Sequence, residues 1–380
     1  MKKIINGKIL TPQRLPKGCG VLIDDGRILA TSPESELPHD IETIDADGHW
    51  VIPGLIDIHI HGSAGSDTME QDPASLAAIA RFLLTRGVTA FLPTTVAASG
   101  DAIFRAIRNV ETYHQSRGAR LLGLHLEGPY LQGAYRGAQE AQFIRSAKPA
   151  EYQPWLESGV VKLMTVAPEV EGVMPLIVFG VSKGVKFAVG HSDANYDQVE
   201  EAVQRGLNQA THTFNAMRHL HHREPGVLGA VLTDERIFAQ VIADGIPLHP
   251  AIVKLLFKAK GVDRTILITD AIQAAGAADG QHRLGTQTIT VQDGIARTQS
   301  GALAGSTLFL NDGLINAARF TDSHWTELLP SATAVPAASL GLEDQVGSIK
   351  PGAYADLVII DDHLSPVMTM VGGRIVYQRP

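Results

Sequence analysis

The sequence predicts an α/β protein, a (β/α)8 barrel of TIM type with a small β-sandwich domain formed by both chain ends. Three observations predict it. Eight strand-like apolar runs between Val51 and Thr269 alternate with helical patterns. Such alternation gives a parallel sheet, and eight repeats of the unit argue for closure. The 380 residues exceed one small core, but they suit a barrel of about 250 residues plus a smaller domain. Both ends of the chain break into short strands separated by turns. The expected division is residues 1–52 and 345–380 for the small domain and 53–344 for the barrel. A doubly wound open sheet competes with this reading, but it would bring fewer of the reactive side chains together.

At the N-terminus, Lys3–Ile5, Lys8–Leu10, Gly20–Ile23 and Arg27–Ala30 read as strands, with Asp25-Gly26 as a hairpin turn. Val51–Ile60 is the first barrel strand. Pro73–Arg86 follows as a helix, with Asp72 as N-cap and Gly87 as C-terminal stop. Next come strand Val88–Leu92, helix Asp101–Ser116, strand Leu121–Leu126 and a long loop through Ala141. Val161–Val166, Val185–Gly190, Gln209–Thr213, Ala239–Ala243 and Thr265–Thr269 supply the other strands, with helices Tyr196–Arg205 and Pro250–Lys260 between them. At the C-terminus, Asp356–Ile360 and Gly373–Tyr377 are strand-like, with turns at Lys350-Pro351-Gly352 and Gly372-Gly373. Isolated hairpins are marginal in water, so the two ends are expected to pair.

Apolar residues make up 44% of the chain and charged residues 19%, an ordinary globular composition. No run of about 18 apolar residues marks a membrane span, and the segment after Met1 lacks the apolar stretch of a secretory signal. The single Cys19 excludes an intrachain disulfide framework and leaves metal ligation to His and carboxylates. The cytoplasm is the expected compartment. A formal net charge of −8 argues against nucleic acid or an anionic membrane as the main partner. An anionic small substrate would need a local basic pocket.

His59, His61, Glu127, His191, His212 and Asp270 each fall at or just past the end of one of the strand-like runs. In a barrel those ends converge on one face, where catalytic groups sit. His59 and His61 alternate along a strand, so both imidazoles project from the same face. Together the six residues point to a metal centre with an acid/base partner, and so to an enzyme. The bland alternatives are a pair of satisfied core histidines and, for Glu127, a salt-bridged carboxylate at a strand end.

The setting of the histidine pair, Pro53-Gly54-Leu55-Ile56-Asp57-Ile58-His59-Ile60-His61-Gly62, resembles the first barrel strand of the amidohydrolase superfamily. Lys350–Val358 resembles that superfamily's return strand into its small β domain. Seven further motifs occur in the order of the N-acetylglucosamine-6-phosphate deacetylases, a resemblance that runs along nearly the whole chain. They are Leu124–Tyr130, Gly190–Ser192, Thr211–Met217, Arg223–Gly226, Ala243–Gly245, Ile268–Ala271 and Leu303–Ser306. His221–Gly226 and Ile268–Gly276 are closer to the sister N-acetylgalactosamine-6-phosphate deacetylases.

The resemblance implies hydrolysis of an N-acetyl-hexosamine 6-phosphate to acetate and the amino-sugar phosphate, with one or two divalent ions, zinc or iron, per subunit. It makes Glu127 the bridging ligand, where many superfamily members use a carboxylated lysine at the end of the fourth strand. The lysine of that strand here, Lys162, stands at its beginning. His191 and His212 would complete the same ion's shell, and His59 and His61 would allow a second. Imidazole and carboxylate suit several first-row divalent ions. Asp270 would act as general base and then general acid, since a carboxylate within reach of water can take its proton and return it to the leaving amine. A role for Asp270 as metal ligand stays open beside this. Arg223 would bind the substrate phosphate and reach the active site of a neighbouring subunit in a homodimer. Asn215 and Ala216 would contact phosphate or sugar, and Leu303, Ala304 and Gly305 would line the acetyl end.

Two positions depart from the family pattern. Gln139, after Arg136-Gly137-Ala138, replaces a substrate-contacting histidine, and Pro247 replaces another, with His249 two residues later. Gln139 can hydrogen-bond but carries no charge. Pro247 offers no donor, and a shifted loop would bring His249 into its place. Ala138, Gln139, Pro247 and His249 are therefore further candidates for the substrate pocket.

Overall fold

The computed structural model describes residues 1–11, 17–113 and 118–380. Eight strands, Leu55–Ile60, Val88–Thr95, Leu124–Glu127, Val161–Val166, Lys186–Val189, Leu207–Ala210, Phe238–Ile242 and Thr265–Ile268, lie side by side in sequence order. Every neighbouring pair is parallel. The last strand meets the first where the Asp270 N–H donates to the His59 carbonyl at 2.9 Å and Ile60 bridges to Ala271. The sheet therefore closes into the expected barrel, with helices in the connections. No helix among the described residues is long and apolar enough to cross a membrane.

Strand alternation sorts the side chains. Ile56 and Ile58 share one apolar cluster with Leu163, Ile242, Ile268 and with Val335 and Ala337 of the helix Ala334–Leu340. Asp57 and His59 enter a network of buried polar groups. His59 reaches Gln240 across the barrel, Asp57 meets Thr269, and His125 meets Thr165, all of them buried. Polar groups survive burial there because they satisfy one another.

The chain ends build two facing sheets. One holds Lys2–Ile5 between Cys19–Asp24 and Glu42–Asp45, with Arg27–Pro33 outside. The other runs Lys8–Ile9, Trp50–Pro53, Leu357–Ile360, Pro366–Val371 and Arg374–Gln378. Trp50–Pro53 pairs antiparallel with Leu357–Ile360, so the first and last parts of the chain share one sheet. Ile4, Val21, Ile23, Ile44, Val51, Leu357 and Ile359 form the core between the sheets.

Arg120 ties this unit to the barrel. Its guanidinium grips buried Asp356 through Nε at 2.9 Å and Nη2 at 3.1 Å, and stacks on Tyr354. The Gly372 N–H adds a third donor at 2.7 Å. Arg120→Ala leaves that carboxylate buried beside one backbone donor, and breaking a buried pair costs about 3–5 kcal/mol. Urea unfolding is expected to show a loss of that size. A loss below about 1 kcal/mol would put the pair in the class of surface ion pairs.

Four expectations change. Val51–Ile60 is two strands in two sheets, broken at Gly54. A Cβ on Gly54 would fall 1.9 Å from Thr89 Oγ1, so the chain crosses from sandwich to barrel through a gap that fits no side chain. Leu121–Leu126 breaks at Gly123, whose φ of 141° separates the short piece Arg120–Leu121 from the barrel strand Leu124–Glu127. The helix expected over Asp101–Ser116 runs Gly100–Glu111, and its expected end at Ser116 lies outside the described residues. Residues 280–298, left unassigned by sequence, form a three-stranded antiparallel sheet, Gly280–Leu284, Gln287–Gln292 and Ile295–Thr298. Its signal was Asp293-Gly294, both at positive φ between strand-like runs, the chemistry of a tight hairpin.

Candidate metal centre

The barrel's polar end assembles around Glu127, the last residue of the third strand. Its carboxylate is 2% exposed. Oε1 lies 3.1 Å from His191 Nε2 and 3.0 Å from His212 Nε2. Oε2 lies 3.4 Å from His61 Nε2. Asp270 Oδ1 is 3.3 Å from His59 Nε2 and 3.1 Å from His61 Nε2. The six residues expected to converge thus stand in one cluster, as two buried triads that could each hold an ion: Glu127, His191 and His212, and His59, His61 and Asp270.

Backbone geometry delivers three of these side chains. His191, His212 and Asp270 sit just past the ends of their strands with φ of 48°, 29° and 51°. Left-handed backbone at a non-glycine residue costs about 1–3 kcal/mol and persists where surrounding contacts over-determine it. For Asp270 those contacts are visible. Its N–H donates to His59, and its carbonyl accepts from the Ser306 N–H at 2.8 Å. Gly305 lies against that same carbonyl, where a Cβ would fall 2.6 Å from the oxygen.

Hydrogen bonds behind the imidazoles decide where their lone pairs point. His191 Nδ1 is 3.0 Å from the Tyr135 carbonyl and His61 Nδ1 is 3.1 Å from the Thr94 carbonyl. A carbonyl only accepts, so each Nδ1 carries the hydrogen and each Nε2 turns a lone pair to the cluster. His59 Nδ1 meets Gln240 Oε1 at 3.2 Å. Gln240 Nε2 in turn donates to Gln209 Oε1 at 3.0 Å. His59 Nε2 is buried without a hydrogen-bond partner. Lone pairs directed at carboxylates repel unless a cation stands between them. The donor set of imidazole nitrogens and carboxylate oxygens therefore fits a divalent metal.

Electrostatics agrees. Burial alone would raise Glu127, but the surrounding imidazoles of His59, His191, His212 and His61 hold it well below the usual carboxylate range. Asp270 is likewise lowered against burial, by His59, His61 and His212. Burial pushes His59 down to about 4. His61 is raised well above the ordinary value against burial, through Asp270 and Glu127. The two carboxylates draw positive charge to this spot, a demand that a proton on His61 or a divalent ion answers.

The remaining candidates are spread around this mouth. Asn215 donates through Nδ2 to the His212 carbonyl at 3.0 Å. The Ala216 carbonyl accepts from the Ser192 N–H at 3.1 Å. Leu303 is half-buried, and Ala304 is buried with its N–H on the Ala296 carbonyl. Arg223 is exposed, its Nη1 2.8 Å from His222 Nε2. Ala138 is half-buried under the three-stranded sheet. Pro247 is half-buried. His249 is exposed, and its Nδ1 caps the helix Pro250–Lys260 by accepting from the Ala251 N–H at 3.1 Å. Pro at the first helical position favours that use. Gln139 is buried, with Nε2 2.6 Å from Glu127 Oε2. Lys162 is exposed at the start of its strand, as its position implied.

Sequence reasoning missed the orienting residues Gln209, Gln240, Thr94 and Tyr135. For the two glutamines a signal existed, a polar residue in the middle of an apolar strand. For Tyr135 and the Thr94 carbonyl none existed, because their backbone oxygens do the work.

The amidohydrolase family model matches residues 50–376. The N-acetylglucosamine-6-phosphate deacetylase of Vibrio furnissii is 40% identical over 331 residues, 86% of this chain and 83% of its own length. The N-acetylgalactosamine-6-phosphate deacetylase of Escherichia coli O157:H7 is 35% identical over 357 residues, 93% of each chain. The crystal structure of N-acetylglucosamine-6-phosphate deacetylase from Pasteurella multocida matches with a TM-score of 0.94 at 28% identity, over 98% of this chain and 99% of that one. The chain therefore belongs to the amidohydrolase family and, within it, to the group of N-acetyl-hexosamine-6-phosphate deacetylases.

Proposed function

We propose that this protein is a metal-dependent amide hydrolase that removes the N-acetyl group of N-acetylglucosamine 6-phosphate, releasing acetate and the amino-sugar phosphate. The observation that carries the reading is the pair of buried triads, Glu127–His191–His212 and His59–His61–Asp270, side by side at the barrel mouth, in a chain 40% identical to a deacetylase of that name. Glu127, His191 and His212 would hold one ion, and His59, His61 and Asp270 a second. Zinc and iron both suit the donors. When bound, the metal supplies a Lewis acid that acidifies water and polarises the amide carbonyl.

The chain's own residues do the rest. Ionised Asp270 takes the proton of the attacking water through its carboxylate and returns it to the amide nitrogen, so the amine leaves neutral. Glu127 fixes the spacing between the two triads. Leu303, Ala304 and Gly305 enclose the acetyl methyl, and Asn215, Ala216, Ala138 and Pro247 border the sugar. The division into residues 1–52 with 345–380 and 53–344 serves this chemistry. The sandwich braces the barrel, and the barrel carries every proposed ligand.

Arg223 is the phosphate anchor in this reading, because its planar fork can donate two hydrogen bonds to a phosphate. It projects into solvent on a loop with Leu220, which is 53% exposed. A second copy of the chain would cover that loop and receive the guanidinium. Arg223→Ala is expected to raise KM for the phosphorylated sugar at least about tenfold, the weight of a charge-assisted pair, with kcat nearly unchanged. An unaltered KM would remove Arg223 from recognition.

The galactosamine epimer is a second reading, favoured by the 35% identical relative of that name. Acetate release should be followed on N-acetylglucosamine, N-acetylgalactosamine, N-acetylmannosamine and their 6-phosphates, with zinc, iron or manganese supplied. The glucosamine 6-phosphate is expected to turn over fastest. No release from any of the three 6-phosphates by the metal-loaded protein would end the proposal.

A further inference from the structure

Gln139 sits in the loop after the third barrel strand, 5% exposed, with both ends of its amide engaged. Nε2 donates to Glu127 Oε2 at 2.6 Å, and Oε1 accepts from the Ala97 N–H at 2.7 Å. Those partners dictate the orientation of the amide, since a carboxylate accepts and a backbone N–H donates. The loop is braced from several sides. Arg136 Nη1 donates to the Gln139 carbonyl at 2.9 Å. The Gln287 amide donates to the Ala138 carbonyl, and the Thr286 hydroxyl donates to the Glu140 carboxylate. Both of these come from the hairpin turn of the three-stranded sheet. Gln139 is therefore pressed onto Glu127 by the second barrel strand's end and by the sheet above it.

Glu127 needs such a restraint. The last torsion of a glutamate is broad and roughly two-fold, so an unrestrained carboxylate samples many rotations. Here its oxygens have separate duties. Oε1 faces His191 and His212 most closely, with His59 Nε2 at 3.6 Å, while Oε2 faces His61. The Gln139 donor lies on Oε2 and occupies one of that oxygen's lone pairs.

We propose that Gln139 is a positioning residue that sets the rotation of the Glu127 carboxylate. It turns Oε1 toward the His191–His212 pair and leaves Oε2 a single free lone pair for the His61 side. The two subsites are thereby made unequal, with the His191–His212 side the tighter. This inference rests on the reading of both triads as metal-holding. It replaces direct substrate contact as the reason for a glutamine at this position.

The test is Gln139→Met, of similar length but without polar atoms, with Gln139→Asn, which keeps the amide but falls one methylene short, as the second variant. Metal-free protein is titrated with Zn2+ in competition with a chromophoric chelator. KM is measured separately on zinc-saturated protein. Loss of an outer hydrogen bond to a ligand typically costs about 10–100-fold in metal affinity. The tighter site of both variants is expected to weaken by that factor, with KM moving less than about threefold. Unaltered zinc affinity with a raised KM would overturn the proposal and make Gln139 a substrate contact. Unaltered zinc affinity and KM would overturn it as well. Failure of the unmodified protein to take up zinc, iron or manganese would instead strike the reading of the triads, so the two failures are distinguishable.

Discussion

Asp270→Asn lowers kcat by about 10²–10⁴-fold, the usual worth of a positioned acid/base, while the Glu127–His191–His212 triad keeps its ion. The substitution preserves shape and removes basicity. Asparagine tolerates left-handed backbone nearly as well as aspartate does, so the turn at φ 51° survives. The Asp270 N–H to His59 and the Ser306 N–H to the Asp270 carbonyl are main-chain bonds and also survive. What disappears is a carboxylate that the imidazoles hold ionised, and with it the group that takes a proton from water and gives one to the amine. Because Oδ1 lies within 3.3 Å of both His59 and His61 Nε2, an ion on that side would weaken as well. Steady-state kinetics with metal content measured on the same sample decides the matter. Near-normal turnover at retained metal would take Asp270 out of the mechanism.

Glu127→Gln is expected to be at least as damaging, by a different route. This carboxylate belongs to the His191–His212 triad through Oε1 and also touches the other triad, with Oε1 3.6 Å from His59 Nε2 and Oε2 3.4 Å from His61 Nε2. Neutralising it removes the charge that offsets a cation in a dry site. It also places an amide N–H where a lone pair is needed, with Gln139 Nε2 2.6 Å away becoming a donor facing a donor. Loss of several kcal/mol of charge stabilisation corresponds to at least about 10³-fold in rate. The purified variant should carry less than a full complement of ion, and added zinc or iron should not restore turnover. Chelation of the unmodified protein should abolish activity, and the same ions should restore it. A Glu127→Gln protein that binds metal stoichiometrically and turns over normally would contradict the bridging role.

Much of the barrel was legible because periodicity and turn chemistry are local. Val161–Val166 and Pro250–Lys260 appear with the very bounds that their patterns predict. Two runs that looked continuous are broken at a glycine. Gly54 and Gly123 sit inside apolar runs that look continuous in one dimension. Each breaks its run because of what lies beside it in space, Thr89 for one and Lys162 with the Val160 carbonyl for the other. The side chains at strand ends were legible for a related reason. A parallel barrel sends all such ends to one face, so sequence position alone implies proximity. His249 has a local role that its position before Pro250 also implied, that of a helix cap.

The sequence by itself determined the closed parallel barrel, the pairing of the chain ends and the side chains that meet at the mouth. Those properties follow from alternation, strand count and residue chemistry, which a linear pattern carries. Only the tertiary structure decided which nitrogen of each imidazole faces inward, that Gln240 and the Tyr135 and Thr94 carbonyls set those tautomers, and that Gln139 leans on Glu127. A hydrogen bond is directional and joins atoms far apart in the chain. Its partners exist only once the strands have closed around a common axis.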